Sequence, residues 1–210
     1  MNHHRLPAGW HVTLADLSAG MLATAHHQLN QYGHALRFVV HDAQALPFAD
    51  HSFDAIIANH MLYHVPNRPA AYAEFCRVLK PSGRLYAATI SRDNMHELDA
   101  LVSHVHPFRS QDRAAAHPIS DRRQRTGFNL EHGAEELSRW FAVVTLHRYA
   151  DALVVPTAEP LVAYVKSTGG LTEDELAGFQ HYVAEVIERQ GPIHISKDVG
   201  MFEAGQSNTS

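Results

Sequence analysis

Four polar residues stand where short apolar runs stop. Asp16 follows HVTLA, Asp42 follows RFVVH, and Asn59 and His60 follow AIIA. A carboxylate at the end of a strand offers two acceptor oxygens, enough to take hydrogen bonds from both hydroxyls of a ribose. The same group can instead cap the next helix, so position alone leaves both uses open for Asp16 and Asp42. His60 and His64 are four residues apart, a spacing at which two imidazoles can share a metal on a helix. Pro66 argues against a regular helix there and no third ligand follows at a defined spacing, so no metal site is expected. Cys76, the only cysteine, falls on an apolar helical stripe and reads as a buried structural thiol.

The run Arg37–Ser91 supplies most of the elements that must hold these residues. Phe38–Val40, Ala55–Ala58 and Leu85–Ile90 are short apolar runs bounded by polar or turn residues, the pattern of strands buried on both faces. Between the second and third, Asn67 suits an N-cap and Pro69 a first helical turn. Tyr72, Phe75, Cys76 and Leu79 recur at helical spacing, and Lys80-Pro81-Ser82-Gly83 stops the helix. Strand, helix and strand predict a right-handed parallel βαβ unit. His11–Ala15, a helix capped by Ser18 with Met21, Leu22, Ala25 and Leu29 turned inward, and Arg37–Val40 predict another. Open sheets of this kind bind ligands just outside the carboxyl ends of their strands, where the four polar residues lie.

Downstream, Arg92–Val105 predicts a helix with Met95, Leu98, Leu101 and Val102 on one side. Residues 106–127 hold two prolines and dense charge, and are expected as a solvated loop or a lid over the substrate. Asn129–Phe141 is expected as helix with Leu137, Trp140 and Phe141 inward. Ala142–Arg148 and Ala152–Val155 then suggest a hairpin turning at Tyr149-Ala150-Asp151. Pro160–Lys166 and Thr172–Gln190 predict helices, the second opened by a capping box of Thr172 and Glu175 and stopped by Gly191. Ile193–Glu203 predicts a last strand. The expected organisation is one domain over 1–204 with a disordered tail over 205–210.

The formal net charge of −5 gives no broad basic surface, so nucleic acid is not an expected partner. No apolar run approaches the roughly 18 residues of a membrane span, and the amino terminus lacks the hydrophobic core of a signal peptide. A single cysteine fits a reducing compartment, and the expected location is the cytoplasm.

The stretch HDAQALPFADHSFDAIIANHMLYHV followed by EFCRVLKPSGRLY resembles the middle of a class I S-adenosylmethionine-dependent methyltransferase, of the small-molecule group related to the ubiquinone and menaquinone methyltransferases. The spaced pattern D-A-x-x-L-P-F-x-D-x-S-F-D, then R-V-L-K-P-x-G, is long and specific. The resemblance implies an α/β fold: a Rossmann-like, mostly parallel sheet with helices on both faces and an antiparallel C-terminal edge. It implies S-adenosylmethionine as cofactor, with Asp16 on the ribose, Leu17 on one adenine face, Asp42 on the adenine amino group and the Ala43 amide on a ring nitrogen. Asn59 and His60 would lie under the methionine part. Methyl transfer to a small-molecule acceptor follows, with His60, His64 and Tyr63 as the nearest candidates for a base; a homodimer is compatible with it.

One departure stands out. Family members begin their sheet with a strand that ends in an acid and a glycine-rich turn, and that strand lies centrally, between those ending here at Asp16 and Asn59. No two glycines in this chain are separated by one residue, so the first, central strand is missing from the sequence. Three outcomes are open: the strand ending at Asp16 pairs directly with the one ending at Asn59, a partner chain inserts a strand, or the reading frame continues upstream, which is the favoured expectation. The rival in another class is a non-catalytic, methyltransferase-like relic that has lost cofactor binding with the glycine turn.

Overall fold

The computed structural model describes residues 9–29, 36–105, 127–169 and 171–206. Their strands form two sheets instead of one. β1 (Val12–Asp16) and β2 (Leu36–Val40) pair in parallel, with α1 (Ala19–Leu29) between them in sequence. β3 (Phe53–Asn59), β4 (Leu79–Ile90), β5 (Val143–Val155) and β6 (Ile193–Gly205) form the second sheet, in the order β3-β4-β6-β5.

Direct pairing of β1 with β3, one of the three outcomes left open by the missing strand, does not occur. Each keeps one edge without a strand partner among the described residues. Asp54, Ala55, Ile57 and Asn59 of β3 are exposed, as are Ala15 and Asp16 of β1. Backbone groups on such edges stay in contact with water, so the desolvation cost of burying them unpaired does not arise.

Three of the four strands of the second sheet point the same way. β3 and β4 run together, and β6 is antiparallel to both its neighbours, which leaves β5 parallel to β4. The antiparallel C-terminal strand therefore lies one place inside the sheet, and β5 takes the edge that sequence had assigned to it. The expected hairpin at Tyr149 is also corrected. All thirteen residues of β5 pair with β6, from Val143 opposite Gly205 to Val155 opposite Ile193. A continuous partner strand satisfies the backbone across Tyr149-Ala150-Asp151, so the polar interruption there is only a solvent-facing stretch. Gly205 is part of β6 and buried, and Gln206 donates to Cys76 Sγ at 3.3 Å and the Trp140 carbonyl at 3.3 Å, so the expected tail does not begin at 205. Residues 207–210 lie outside the described residues.

α2 (Arg68–Val78) starts as its sequence requires: Asn67 Oδ1 accepts from the Ala70 amide at 3.2 Å, with Pro69 in the first turn. α3 (His96–Val105) buries Leu98 and Val102. The helix expected over 129–141 is reduced to α4 (Gly133–Leu137), although Leu137 and Phe141 do point inward. α5 (Glu159–Thr168) and α6 (Glu173–Gln190) follow, the latter with the Thr172–Glu175 capping box formed and Gly191 at φ 84° ending it.

Alternation along β6 distributes two cores. Phe202 and Ala204 face one made with Tyr72, Phe75, Leu85, Phe128, Leu137 and Phe141. Ile195, of opposite parity, faces another made with Leu98, Val102, Leu161, Val165, Phe179 and Val183. Helices thus cover both faces of the β5–β6 ribbon. The β1–α1–β2 unit has little interior. Leu22 is its only buried residue among those described, and Met21, expected inward, is 62% exposed.

Candidate functional site

The parallel register of the first sheet sets Asp16 opposite Val40, and the His41 amide donates to the Asp16 carbonyl at 3.2 Å. Asp16 and Asp42 therefore leave adjacent strands at the same carboxyl end. Asp16 Oδ1 accepts the Ser18 amide at 2.7 Å, while Ser18 Oγ accepts the Met21 amide at 3.3 Å and does the helix capping. That leaves Asp16 Oδ2 exposed to solvent. Leu17 beside it is 71% exposed, an apolar side chain with nothing packed on it.

Asp42 is more constrained. Its Oδ1 accepts the Gln44 amide at 2.9 Å, and Gln44 Nε2 donates to both carboxylate oxygens, at 2.9 and 2.8 Å. These bonds hold its carboxyl below the usual aspartate range, burial opposing them weakly. Gln44 Oε1 in turn accepts the Asn67 amide at 3.0 Å, tying Asp42 to the start of α2. The Ala43 amide has no partner among the described residues. Gln44 carries no recognisable sequence signal beyond lying two residues after an aspartate, the geometry of an Asx turn.

At the carboxyl end of β3, Asn59 pairs opposite Ala88 and is exposed. The His60 amide donates to the Ala88 carbonyl at 3.0 Å, adding one rung to the ladder, and the backbone there turns left-handed, at φ 49°. His60 keeps solvent access, yet surrounding protein lowers the pKa of its imidazole, and the cation of Lys197 adds to that. Tyr63 is buried in the first core, with its ring edge-on to His64 at 4.5 Å, and His64 is exposed. Tyr63 is thus part of a wall. Next to them the end of β4 is fastened by residues 128–132. Thr89 Oγ1 donates to the Phe128 carbonyl at 2.8 Å, and Glu131 accepts Ser91 Oγ at 2.7 Å and the Arg92 amide at 3.1 Å. The sequence-predicted lid, 106–127, lies outside the described residues except for Gly127.

The structure brings Asp16, Leu17, Asp42 and Ala43 together at the end of one sheet, and Asn59, His60, Tyr63 and His64 at the end of the other. No hydrogen bond or ion pair among the described residues joins the two groups directly. Phe48 links the two sheets away from the second group, edge-on to His41 just past β2 at 5.3 Å and to Phe53 at the start of β3 at 4.9 Å, with the Arg37 guanidinium over its ring. A cavity of about 540 Å³ lies elsewhere, between α2 and α4, lined by Arg68, Tyr72, Glu136 and Trp140. Its charges are already paired, Arg68 with Glu136 at 2.6 Å.

Residues 2–87 match the methyltransferase domain family, and the matched stretch holds every predicted cofactor residue. Over 83 residues the chain is 41% identical to a ubiquinone/menaquinone biosynthesis C-methyltransferase UbiE of Hahella chejuensis, covering 39% of this chain and 33% of that one. Over 101 residues it is 39% identical to a malonyl-[acyl-carrier protein] O-methyltransferase of Erwinia billingiae, covering 47% and 38%. The chain therefore aligns with little more than a third of the length of these relatives. A methyltransferase-like protein of Bacillus halodurans shares the fold, with a TM-score of 0.61 at 18% identity over 95% of this chain and 84% of that one. That likeness is one of fold and extends over nearly the whole chain, while the family match stops within β4.

Proposed function

We propose that the protein transfers a methyl group from S-adenosylmethionine to a small-molecule acceptor. The observation that carries this is the pair of adjacent strand ends that present Asp16 and Asp42 side by side. The donor set fits a nucleoside: a carboxylate with an exposed oxygen, an exposed apolar side chain and an unpartnered amide. Asp16 Oδ2 would accept from the ribose hydroxyls, Leu17 would cover an adenine face, and the Ala43 amide would donate to a ring nitrogen. Asp42 would receive the adenine amino group once Gln44 Nε2 gives way. S-adenosylmethionine, when bound, supplies an electrophilic methyl on a sulfonium. The chain's own work is then to align the acceptor in line with that methyl and to remove a proton where the acceptor carries one. His60, whose surroundings favour the neutral imidazole, is the base in this assignment, with Asn59 beside it on the methionine part. A cytoplasmic location belongs to the same proposal.

Calorimetric titration with S-adenosylhomocysteine tests it. Binding is expected, and Asp16→Ala should weaken it at least tenfold, about 1.4 kcal/mol, with little change in stability because the carboxylate is exposed. Absence of binding by the unsubstituted chain would leave the non-catalytic relic as the better description.

A further inference from the structure

We propose that the free edge of β5 is the surface through which two copies of this chain pair, antiparallel, about a two-fold axis through Tyr149. This goes beyond methyl transfer and does not depend on it. β5 is the outer strand of its sheet, with no strand beyond it among the described residues. It is 13 residues long, an edge of about 43 Å at roughly 3.3 Å per residue. Edges of that length are ordinarily blunted by lysine, proline, a bulge or a covering segment, because unpaired backbone groups are a template for another chain. VVTLHRYADALVV holds no lysine, proline or glycine, and its register with β6 runs without a shift. Tyr149, Leu153 and Val154 are exposed along it.

Neighbouring bonds fix which groups point outward. Just beyond β4, the Met95 and Ser91 amides donate to the Ser196 and Asp198 carbonyls, each at 2.9 Å, and the Ser196 and Asp198 amides donate to the side chains of Glu97 and Asn94. The even residues of β6 there face the β4 side, so its odd residues bond β5. Opposite them stand the odd residues of β5, Asp151 across from Lys197 and Tyr149 across from Val199. The N–H and C=O groups of the even residues, from Val144 to Val154, therefore point away from the sheet. In keeping with this, the Ala152 amide is met by its neighbour Asp151 Oδ1 at 2.8 Å.

An antiparallel copy centred on Tyr149 meets all of these groups over the full length of the strand. Arg148 bonds Ala150 of the second copy, Leu146 bonds Ala152 and Val144 bonds Val154. In the intervening pairs the side chains come closest. They set Tyr149 against its own equivalent, Thr145 against Leu153 and His147 against Asp151. Asp151 exchanges the Ala152 amide for that imidazole, and His147, 3.6 Å from Glu203 of its own chain, then lies between two carboxylates. Moving the axis to Arg148 or to Asp151 opposes like charges, and any shift shortens the pairing. β3 is the far edge of the same sheet, so the strand end at Asn59 stays open in both copies.

Sedimentation velocity of the full chain across the micromolar range should show a monomer–dimer equilibrium. Tyr149→Lys and Tyr149→Glu should each raise the dissociation constant about tenfold or more by setting like charges face to face. An equimolar mixture of the two should associate about as tightly as the parent, since lysine then faces glutamate across the axis. Ala150→Pro should weaken the dimer while sparing the ladder to β6, because the amide it removes points outward. If Ala150→Pro does not fold, the exposed Tyr149 substitutions decide alone. A parent that stays monomeric throughout, a dimer untouched by the Tyr149 variants, a mixture that fails to associate, or a dimer split instead by Ile57→Lys on the β3 edge each overturns the proposal.

Discussion

Glu74 and Arg77, one turn apart on α2, hold the two backbone groups of Leu46 between them. Glu74 Oε2 accepts the Leu46 amide at 2.6 Å, and Arg77 Nη2 donates to the Leu46 carbonyl at 2.9 Å. Arg77 also reaches the Phe48 carbonyl at 2.7 Å and bridges to Glu74 and Asp50. Two side chains thereby do for this loop what a neighbouring strand would do, satisfying both its donor and its acceptor. Arg77, the first residue of the R-V-L-K-P stretch, thereby ties that stretch to the earlier L-P-F stretch. It also fixes the loop that begins with Asp42 and Ala43.

The clamp should be visible in the pH dependence of stability. The Arg77 bonds and the Leu46 amide lower the pKa of Glu74 below its ordinary value. A carboxylate whose folded pKa is depressed contributes its full stability above the unfolded value, about 4.3, and loses it as pH falls through the folded value. Urea midpoints measured from pH 6 to pH 3 should therefore drop less steeply for Glu74→Gln than for the parent. Parallel curves would show that the clamp adds nothing.

Gln44→Ala removes the side chain that occupies both oxygens of Asp42. With the carboxylate freed, S-adenosylhomocysteine should bind no more weakly than to the parent, and the urea midpoint should fall because the link to the Asn67 amide is lost. If Gln44 were itself a ligand contact, affinity would fall instead.

Gly133 opens α4 against the ring of Phe202, where an added Cβ would stand 2.4 Å from Phe202 Cε2. Both residues are buried, so the neighbour cannot yield easily. Gly133→Ala should cost about 1–3 kcal/mol by overpacking, read as a lowered unfolding midpoint. An unchanged midpoint would mean that the first core is looser than its contacts indicate.

Tyr72 is fully buried and donates its hydroxyl to Glu136 at 3.0 Å. Burial, and then the carboxylate, push its phenol well above the usual range, so it does not titrate below strongly alkaline pH. Tyr72→Phe keeps the ring and deletes one bond to a charged group, for a loss of about 1.5 kcal/mol. Glu136→Gln should cost more, since it also unpairs the half-buried Arg68.

Much of this was legible because local signals agreed with tertiary demand. Asn67 and Pro69 start α2 as written, and Thr172 with Glu175 starts α6. The strand ends at Asp16, Asp42 and Asn59 fell where apolar runs ceased. β5 was misread because three solvent-facing residues, Tyr149, Ala150 and Asp151, look like a turn until β6 is known to run past them without a break. α4 was overextended because Leu137, Trp140 and Phe141 point inward from turns as readily as from a helix. Gln44 escaped notice since its role depends on a partner far along the chain: it meets Asn67 23 positions on. The absence of a glycine-rich turn was plain in the sequence, but that β1 and β3 would each keep an exposed edge was not.

Among the described residues, the β1–α1–β2 unit encloses a single buried side chain and shares no strand pairing with the remainder. Such a unit opens at far lower free energy than the cores around Phe202 and Phe179. Yet it carries the carboxylate assigned to the ribose. Occupancy of the nucleoside site and closure of this small unit are then one coupled equilibrium, and part of the ligand's intrinsic affinity goes into keeping the unit shut. Limited proteolysis between residues 9 and 40 should slow as S-adenosylhomocysteine is added, while cleavage elsewhere keeps its pace.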